Sequence, residues 1–418
     1  MKELVTRGLF GDAEAHLDVF PVLKIQGARQ VGKSTLAKLL VEGRESVYKS
    51  LDREQFREQA EEDADFFVES PREATVVVDE IQRVPKVSLA VKNAVDEDRR
   101  PGRFILTGSS GFARVRGHKD SLAGRAVGIK VYPLSLAERV GTLGAGTFID
   151  RVRTGRIGPG VRPSHTCTRD EMAELVEVGG YPVVQSLKDK QRRAWFKAYI
   201  EDVVGIDVVD QGHTPYPGRL QAVLRMLAAQ QAQELVKATL ARETSIPETS
   251  ITGYIDVLQR IYLVELLRPW SRNLVSREKA KPKILVNDSG LAAYLTGRTR
   301  KQWLDPQEPS SGFGHFVEAA LVQELLAQRG WAETDYEVYH WRDRTGKEVD
   351  IVVECADGSV IAFEVKTGAP RAKHFETLKL FRQLLGDKFL AGFVLADAAE
   401  VSPWSPKLFS APWSILWS

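Results

Sequence analysis

Apolar and polar positions change period several times along the chain, and each change marks an element. Short apolar runs at 22–25, 74–79, 103–107 and 126–133 have the length and β-branched content of buried parallel strands. A helical segment (36–41) leaves the first of them, and strand and helix alternate up to about residue 145, which predicts an α/β sheet. From 141 to 170 the periodicity stops. This stretch is rich in Gly, Arg and Pro and reads as an irregular, basic insertion. Helical spacing returns over 169–178 and 190–203, predicted as a lid over the sheet's site. Three helices are then predicted at 220–229, 234–243 and 249–260, followed by a β-hairpin from 263–270 and 283–287. Past residue 300, a helix at 313–328 precedes strands at 337–342, 348–354 and 360–366, joined by tight turns into a meander. The expected units are 1–145, an α/β core; 146–215, insertion and helical lid; 216–300, three helices and a hairpin; and 301–418, a second α/β domain.

Composition narrows the picture a little. The net charge is +2, so the whole-chain field gives no argument for nucleic acid and any such surface must be local. No run of apolar residues is long enough to cross a membrane, and the N-terminus lacks the apolar stretch of a signal peptide. The two cysteines, Cys167 and Cys355, are far apart, which argues against a zinc site or a disulfide framework. Together these suit a cytoplasmic protein without membrane contact.

The strongest chemistry lies at GARQVGKST, residues 27–35, directly after the first strand and before a helix. This is the P-loop spacing. Gly27 and Gly32 let backbone N–H groups turn toward a phosphate, with Arg29, Gln30, Val31 and Thr35 completing the cradle. Lys33 brings a point charge to the β- and γ-phosphates, and Ser34 a hydroxyl to Mg2+. ATP and Mg2+ are therefore the expected cofactors. The strand 74–79 ends at Asp79, placed to hold Mg2+ through water, and at Glu80, placed to polarise an attacking water; the plainer reading is a helix cap. The third strand ends at Thr107, with Ser109 and Ser110 behind it. These either contact the γ-phosphate and orient water or are ordinary turn residues. Arg125, in a Gly-containing loop, is either an arginine finger for a neighbouring subunit's ATP or a surface residue. Arg192 and Arg193 on the lid either reach the γ-phosphate or are helix-surface charges.

GARQVGKST, VVVDEIQ (76–82), ILTGSS (105–110), SLAGR (121–125) and VYPLSLAE (131–138) together resemble the AAA-type (AAA+) P-loop ATPases of bacteria and archaea that carry a C-terminal domain of unknown function. EVGGYPV (177–183) and KPKILVNDSGLAAYL (281–295) extend the resemblance over nearly the whole chain. The chain departs from the family pattern with Ser34 where many relatives have Thr, and with Asn-Asp-Ser-Gly at 287–290 where an Asp-Thr-Gly-like string is expected. The resemblance implies an AAA+ ATPase core and homo-oligomers such as a hexameric ring.

Two further units carry candidate chemistry. Three helices and a hairpin are a winged-helix plan. Its hairpin loop holds Arg272, Arg277, Lys279, Lys281 and Lys283 against Glu278, a basic wing suited to a phosphate backbone. The third helix has only Arg260 at its end, which fits DNA binding of low sequence specificity; a protein-contact module is the alternative. In the basic insertion, Arg151, Arg153, Arg156 and Arg162 are either phosphate contacts or a solvated loop. In the C-terminal meander, Glu364 and Lys366 are two apart and share a face, and a tight turn near Asp357 sets Asp350 opposite Glu364. Glu318 arrives from the helix. This order resembles the PD-(D/E)XK restriction-endonuclease-like fold, which implies a Mg2+ site of Glu318, Asp350 and Glu364 with Lys366 beside it. The alternative is cross-strand salt bridging.

The expected fold is thus α/β: a P-loop AAA+ core with helical lid, a winged-helix domain, and a restriction-endonuclease-like domain. The leading expected activity is ATP hydrolysis driving remodelling, branch migration or translocation on DNA, including branched DNA. An ATP-regulated, Mg2+-dependent endonuclease of a defence or toxin-like system and a STAND-like signalling switch that binds protein are the alternatives.

Overall fold

The computed structural model describes residues 4–71, 73–109, 122–204, 216–273, 277, 280–307 and 312–418. Ser110, Glu278 and Lys279, singled out above, lie outside them. Five parallel strands form the first sheet: β1 (Val22–Gln26), β2 (Ser46–Ser50), β3 (Thr75–Asp79), β4 (Phe104–Gly108) and β5 (Ala126–Lys130). Their order is β2-β3-β4-β1-β5, so β4 lies between the strand that feeds the P-loop and the strand that ends at Asp79. β3 and β4 are buried along their whole length, as their unbroken apolar runs require. The edge strand β2 was not expected, because Ser-Val-Tyr-Lys-Ser has no continuous apolar run.

The segment expected as insertion and lid has two parts. The lid helices, Arg169–Val178 and Asp189–Asp202, stand where the periodicity placed them. A capping box from Thr168 and Glu171 starts the first. The preceding stretch is not a free basic loop. Arg151 is buried, donating to the carbonyls of Ser418 at 2.7 Å and Ile415 at 2.5 Å. Arg153 pairs with Asp357 at 2.7 Å and Arg162 with Glu400 at 3.0 Å. Phe148 packs against Phe363 and Phe393. Three of the four arginines therefore hold the C-terminal domain against the core; Arg156 stays exposed.

Helices Pro217–Ala229, Lys237–Thr244 and Glu248–Arg260 precede the antiparallel pair β6 (Val264–Leu267) and β7 (Lys283–Val286). The second sheet holds β8 (Tyr336–Arg342), β9 (Glu348–Cys355), β10 (Val360–Val365), β11 (Phe389–Ala396), β12 (Ser402–Ser405) and β13 (Leu408–Pro412), in the order β12-β13-β11-β10-β9-β8. β8, β9 and β10 are the expected antiparallel meander. One face packs against the buried helix Phe313–Gln328, the other against Glu376–Leu385.

A single hydrophobic cluster runs from Leu9 through the lid and the three-helix unit to Trp417. The two family-like strings meet inside it. The Asp288 carboxylate accepts from the backbone of Gly180 at 2.6 Å and Leu291 at 2.7 Å. A Cβ at Gly179 would stand 2.3 Å from Asp288 Oδ1, and one at Gly290 2.4 Å from the Val178 carbonyl. The glycines are there because two backbones and a buried carboxylate share that space. Among the described residues no helix is long and apolar enough to cross a membrane.

Candidate functional site

The loop between β1 and the helix Lys33–Leu40 has the backbone its glycines allow. Gly27 and Gly32 have φ of +154° and +99°, and Gln30 is left-handed at 63°. A Cβ at Gly27 would lie 2.2 Å from the Val131 carbonyl, so that position admits only glycine. Lys33 is buried, with Nζ donating to the Ala28 carbonyl at 2.8 Å. Ser34 Oγ donates to Asp79 Oδ1 at 2.9 Å. The helix after β1 and the end of β3 thus bring a hydroxyl and a carboxylate to one point, a hard-oxygen pair that fits Mg2+.

β4 supplies the bridge. Thr107 is fully buried; its Oγ1 donates to Asp79 Oδ1 at 2.5 Å and accepts from the Glu80 backbone N–H at 3.2 Å. In this arrangement it positions the acidic pair and does not face outward. Glu80 is left-handed at φ 57°, which turns its side chain away from the strand. Its Oε2 accepts from Ser109 Oγ at 3.1 Å and from Gln82 Nε2, which also donates to Ser109 Oγ at 3.0 Å. A helix cap would not need this support.

Four contributors were not read from the sequence. Ser50, in register with Asp79 across β2 and β3, donates to Asp79 Oδ2 at 3.3 Å. Tyr48, two residues earlier on the same side, lies close enough to Asp79 and Ser34 that burial and the Asp79 charge raise its phenol above the ordinary range. Period two from Ser50 is the signal that finds it. Arg7 donates to the Val31 carbonyl at 2.9 Å and to Glu138 Oε1 at 2.9 Å, pinning the outer turn of the loop. From the lid, Tyr199 reaches the Arg29 carbonyl at 3.3 Å.

The lid arginines are differently placed. Arg192 is buried but paired with Asp189 on its own helix at 2.7 Å, and Arg193 faces solvent. Arg125 precedes β5, whose first residue aligns with Val22 at the start of β1. It therefore sits at the N-terminal edge of the sheet, opposite the P-loop, where two hydrogen bonds of 2.5 and 3.0 Å tie it to Asp96. It has no path to its own chain's nucleotide site.

The second candidate site is in the C-terminal domain. Phe363 pairs with Ile351, which continues to Glu364 opposite Asp350. Lys366 Nζ lies 2.6 Å from Glu364 Oε1 and 3.7 Å from Asp350 Oδ2, while Asp350 Oδ2 accepts from the Val365 N–H at 2.7 Å. Glu318 joins from its helix. Glu348, unforeseen, brings one oxygen within 4.8 Å of oxygens of Glu318 and Asp350. Burial and the Asp350 charge push Glu364 up to about 7. Its Oε2 is buried without a hydrogen-bond partner among the described residues. The crowded oxygens of Glu318, Glu348 and Asp350 fit a divalent cation, with the orphaned Glu364 oxygen on the residue across the ladder from Asp350.

The wing requires a correction. Lys283 is not on a solvated basic surface: it is 2% exposed, with Nζ 2.6 Å from Glu318 Oε1 and also paired with Glu348. Burial works against its charge, but Glu318, Asp350 and Glu348 outweigh that and hold the ammonium above its ordinary range. Arg277 is likewise occupied, pairing with Glu354 at 2.8 Å over the rings of Tyr339 and Trp270. Arg272 and Lys281 remain exposed. Two of the five basic residues read as a DNA-facing patch, Arg277 and Lys283, are used to dock the hairpin onto the C-terminal domain.

A glycine-shaped loop at the end of a parallel strand, a Ser–Asp pair ready for a cation and a supported glutamate define a P-loop nucleotide-binding core. Residues 19–140 match the AAA domain family, so this core is of AAA type. Residues 169–302 and 313–415 match two families described as domains of unknown function, DUF8612 and DUF4143. Uncharacterized proteins of Mycobacterium tuberculosis and Mycobacterium bovis are each 27% identical over 83% of this chain and 70% of their own length. Among solved structures, a Walker-type ATPase of Pyrococcus abyssi aligns with TM-score 0.42 and 16% identity, over 70% of this chain and 96% of that one. The RuvB Holliday junction branch migration motor of Thermotoga maritima aligns with TM-score 0.29 and 14% identity, over 62% and 85%. Superpositions this loose carry no inference about activity.

Proposed function

We propose that the protein hydrolyses ATP at the P-loop and uses the cycle to act on DNA, with the C-terminal carboxylates as a cation-dependent phosphodiester site of the PD-(D/E)XK kind. The observation that carries the first half is the joint placement of Ser34, Asp79 and Glu80 by Thr107 and Ser109. Backbone N–H groups of residues 28–34 bind the phosphates, and Lys33 exchanges the Ala28 carbonyl for the β- and γ-oxygens. Ser34, with Asp79 through water, would hold Mg2+, which supplies charge neutralisation on the transferred phosphate. Glu80 accepts the attacking water's proton, with Gln82 and Ser109 fixing one oxygen of its carboxylate. Arg125 serves in trans if subunits assemble as a ring, its Asp96 pairing exchanged for the neighbour's ATP; an Arg125→Ala protein that assembles and keeps wild-type turnover ends that role.

The C-terminal half of the proposal rests on Lys366 standing beside Asp350 and Glu364 and on Asp350 sharing a cluster of oxygens with Glu318 and Glu348 at one end of the meander. Asp350, Glu364 and Glu318 would hold the cation, which supplies an activated water when bound. Lys366 stabilises the developing negative charge. Incubation of labelled single-stranded, duplex and four-way-junction DNA with Mg2+ or Mn2+ and ATP tests this half. Strand cleavage lost in both Glu364→Gln and Lys366→Met is expected. DNA bound but never cut would make the domain a binding platform.

The engaged wing favours a second reading. With Arg277 and Lys283 committed to the second sheet, the winged-helix unit serves as a protein-contact module in a STAND-like switch. Absence of DNA binding at low salt would decide for it.

A further inference from the structure

Two adjoining clefts, with Arg225 and Leu295 common to their walls, form a groove between the lid and the C-terminal carboxylates. Its wide part is a cavity of about 1030 Å3 between the three-helix unit and the second sheet, lined among others by Arg225, Arg298, His315, Glu318, Asp350 and Lys366. A narrower part of about 370 Å3 shares Arg225 and Leu295 with it and leads back to Lys197 and Glu201 on the lid helix. That helix touches the P-loop through Tyr199.

Charge along the groove is mixed, with Asp305 and Glu201 also on its walls. At the sheet end, Lys283 already offsets Glu318 and Glu348. Lys366 stands beside Asp350 and Glu364. Arg225 and Arg298 line the cavity away from the sheet, and among the described residues neither guanidinium has a salt-bridge or hydrogen-bond partner. Unpaired guanidinium groups facing a cation-ready cluster suit a ligand with several phosphates, one of them delivered to the cluster. The extension past Arg225 to Lys197 suits a chain longer than one nucleotide. Size disfavours a duplex: a sphere of about 1030 Å3 is about 12.5 Å across, less than the roughly 16 Å that the depths of the two B-DNA grooves add up to.

We propose that this groove seats a single nucleic-acid strand, with Arg225 and Arg298 holding successive phosphates while Asp350, Glu364 and Lys366 receive the phosphodiester. The inference rests on the phosphodiester reading above and names its substrate as a single strand or frayed end.

The test is fluorescence anisotropy of a labelled oligo-dT and of a blunt hairpin duplex with the full-length protein, in Ca2+ to hold the DNA uncut. The single strand is expected to bind at least about tenfold tighter than the duplex. Arg225→Ala with Arg298→Ala should weaken it a further tenfold or more and lower the slope of log K against log salt by about 1.4, two contacts at about 0.7 each. Arg225→Gln, at an exposed position that folding does not need, should give an intermediate loss. Equal affinity for duplex and single strand, or an unchanged salt slope in the double variant, overturns the inference. Duplex binding and cleavage without single-strand preference would overturn it and leave the phosphodiester reading standing; no binding of either DNA overturns both.

Discussion

Glu80→Gln is expected to lower the rate of ATP hydrolysis by about 10²–10⁴-fold, the usual worth of a general base, while nucleotide affinity changes only a few-fold. The substitution keeps shape and one oxygen acceptor, so Ser109 and Gln82 can still hold the side chain. What is lost is the capacity to take a proton. On the proposed reading, binding energy comes chiefly from the loop N–H groups and Lys33. Lys33→Ala should differ in kind and lose affinity, because the lysine bridges the phosphates. Phosphate release, paired with titration of a fluorescent ATP analogue, separates the two variants. Near-wild-type turnover in Glu80→Gln would place the base elsewhere.

The second large effect is on stability. Lys283→Met should destabilise the protein by about 3–5 kcal/mol, the usual result of removing one partner from a buried ion pair. The ammonium is 2% exposed and holds Glu318 and Glu348; without it two crowded carboxylates repel each other and Asp350. Lys283→Met combined with Glu318→Gln should recover part of the loss by removing one uncompensated charge. If these oxygens accept a divalent cation, Mn2+ should raise the melting temperature of Lys283→Met more than that of the wild type. The thermal midpoint of each variant, with and without Mn2+, measures all three. A loss below about 1 kcal/mol would mean that the pair behaves as a surface salt bridge.

The parts legible in the sequence were those written locally. The P-loop is a glycine spacing between a strand and a helix, and Asp79 and Glu80 end an apolar run, so neighbours a few residues apart locate them. Asp350 opposite Glu364 followed from period two and one tight turn. What sequence reasoning missed was set by distant partners. Lys283 read as solvated because Glu318 lies 35 residues further on and Glu348 further still. Arg151, Arg153 and Arg162 looked like a basic loop because the carbonyls and acids they meet belong to the last seventy residues. The loop motif alone did not reveal that the register of β5 against β1 puts Arg125 on the sheet edge opposite its own chain's P-loop. Arg7, Ser50 and Tyr48 reach the site only through the sheet order and the docking of the N-terminal segment. The asparagine–aspartate–serine–glycine string, a departure without apparent consequence in sequence, is where Asp288 clasps Gly180.

The most direct test of the account is ATP turnover by the full-length protein with no DNA and with single-stranded, duplex or four-way-junction DNA, using Lys33→Ala as the blank. Turnover that DNA stimulates, and that Lys33→Ala and Glu80→Gln both lack, is the predicted result. Turnover indifferent to every DNA form, with no DNA bound at low salt, would contradict it.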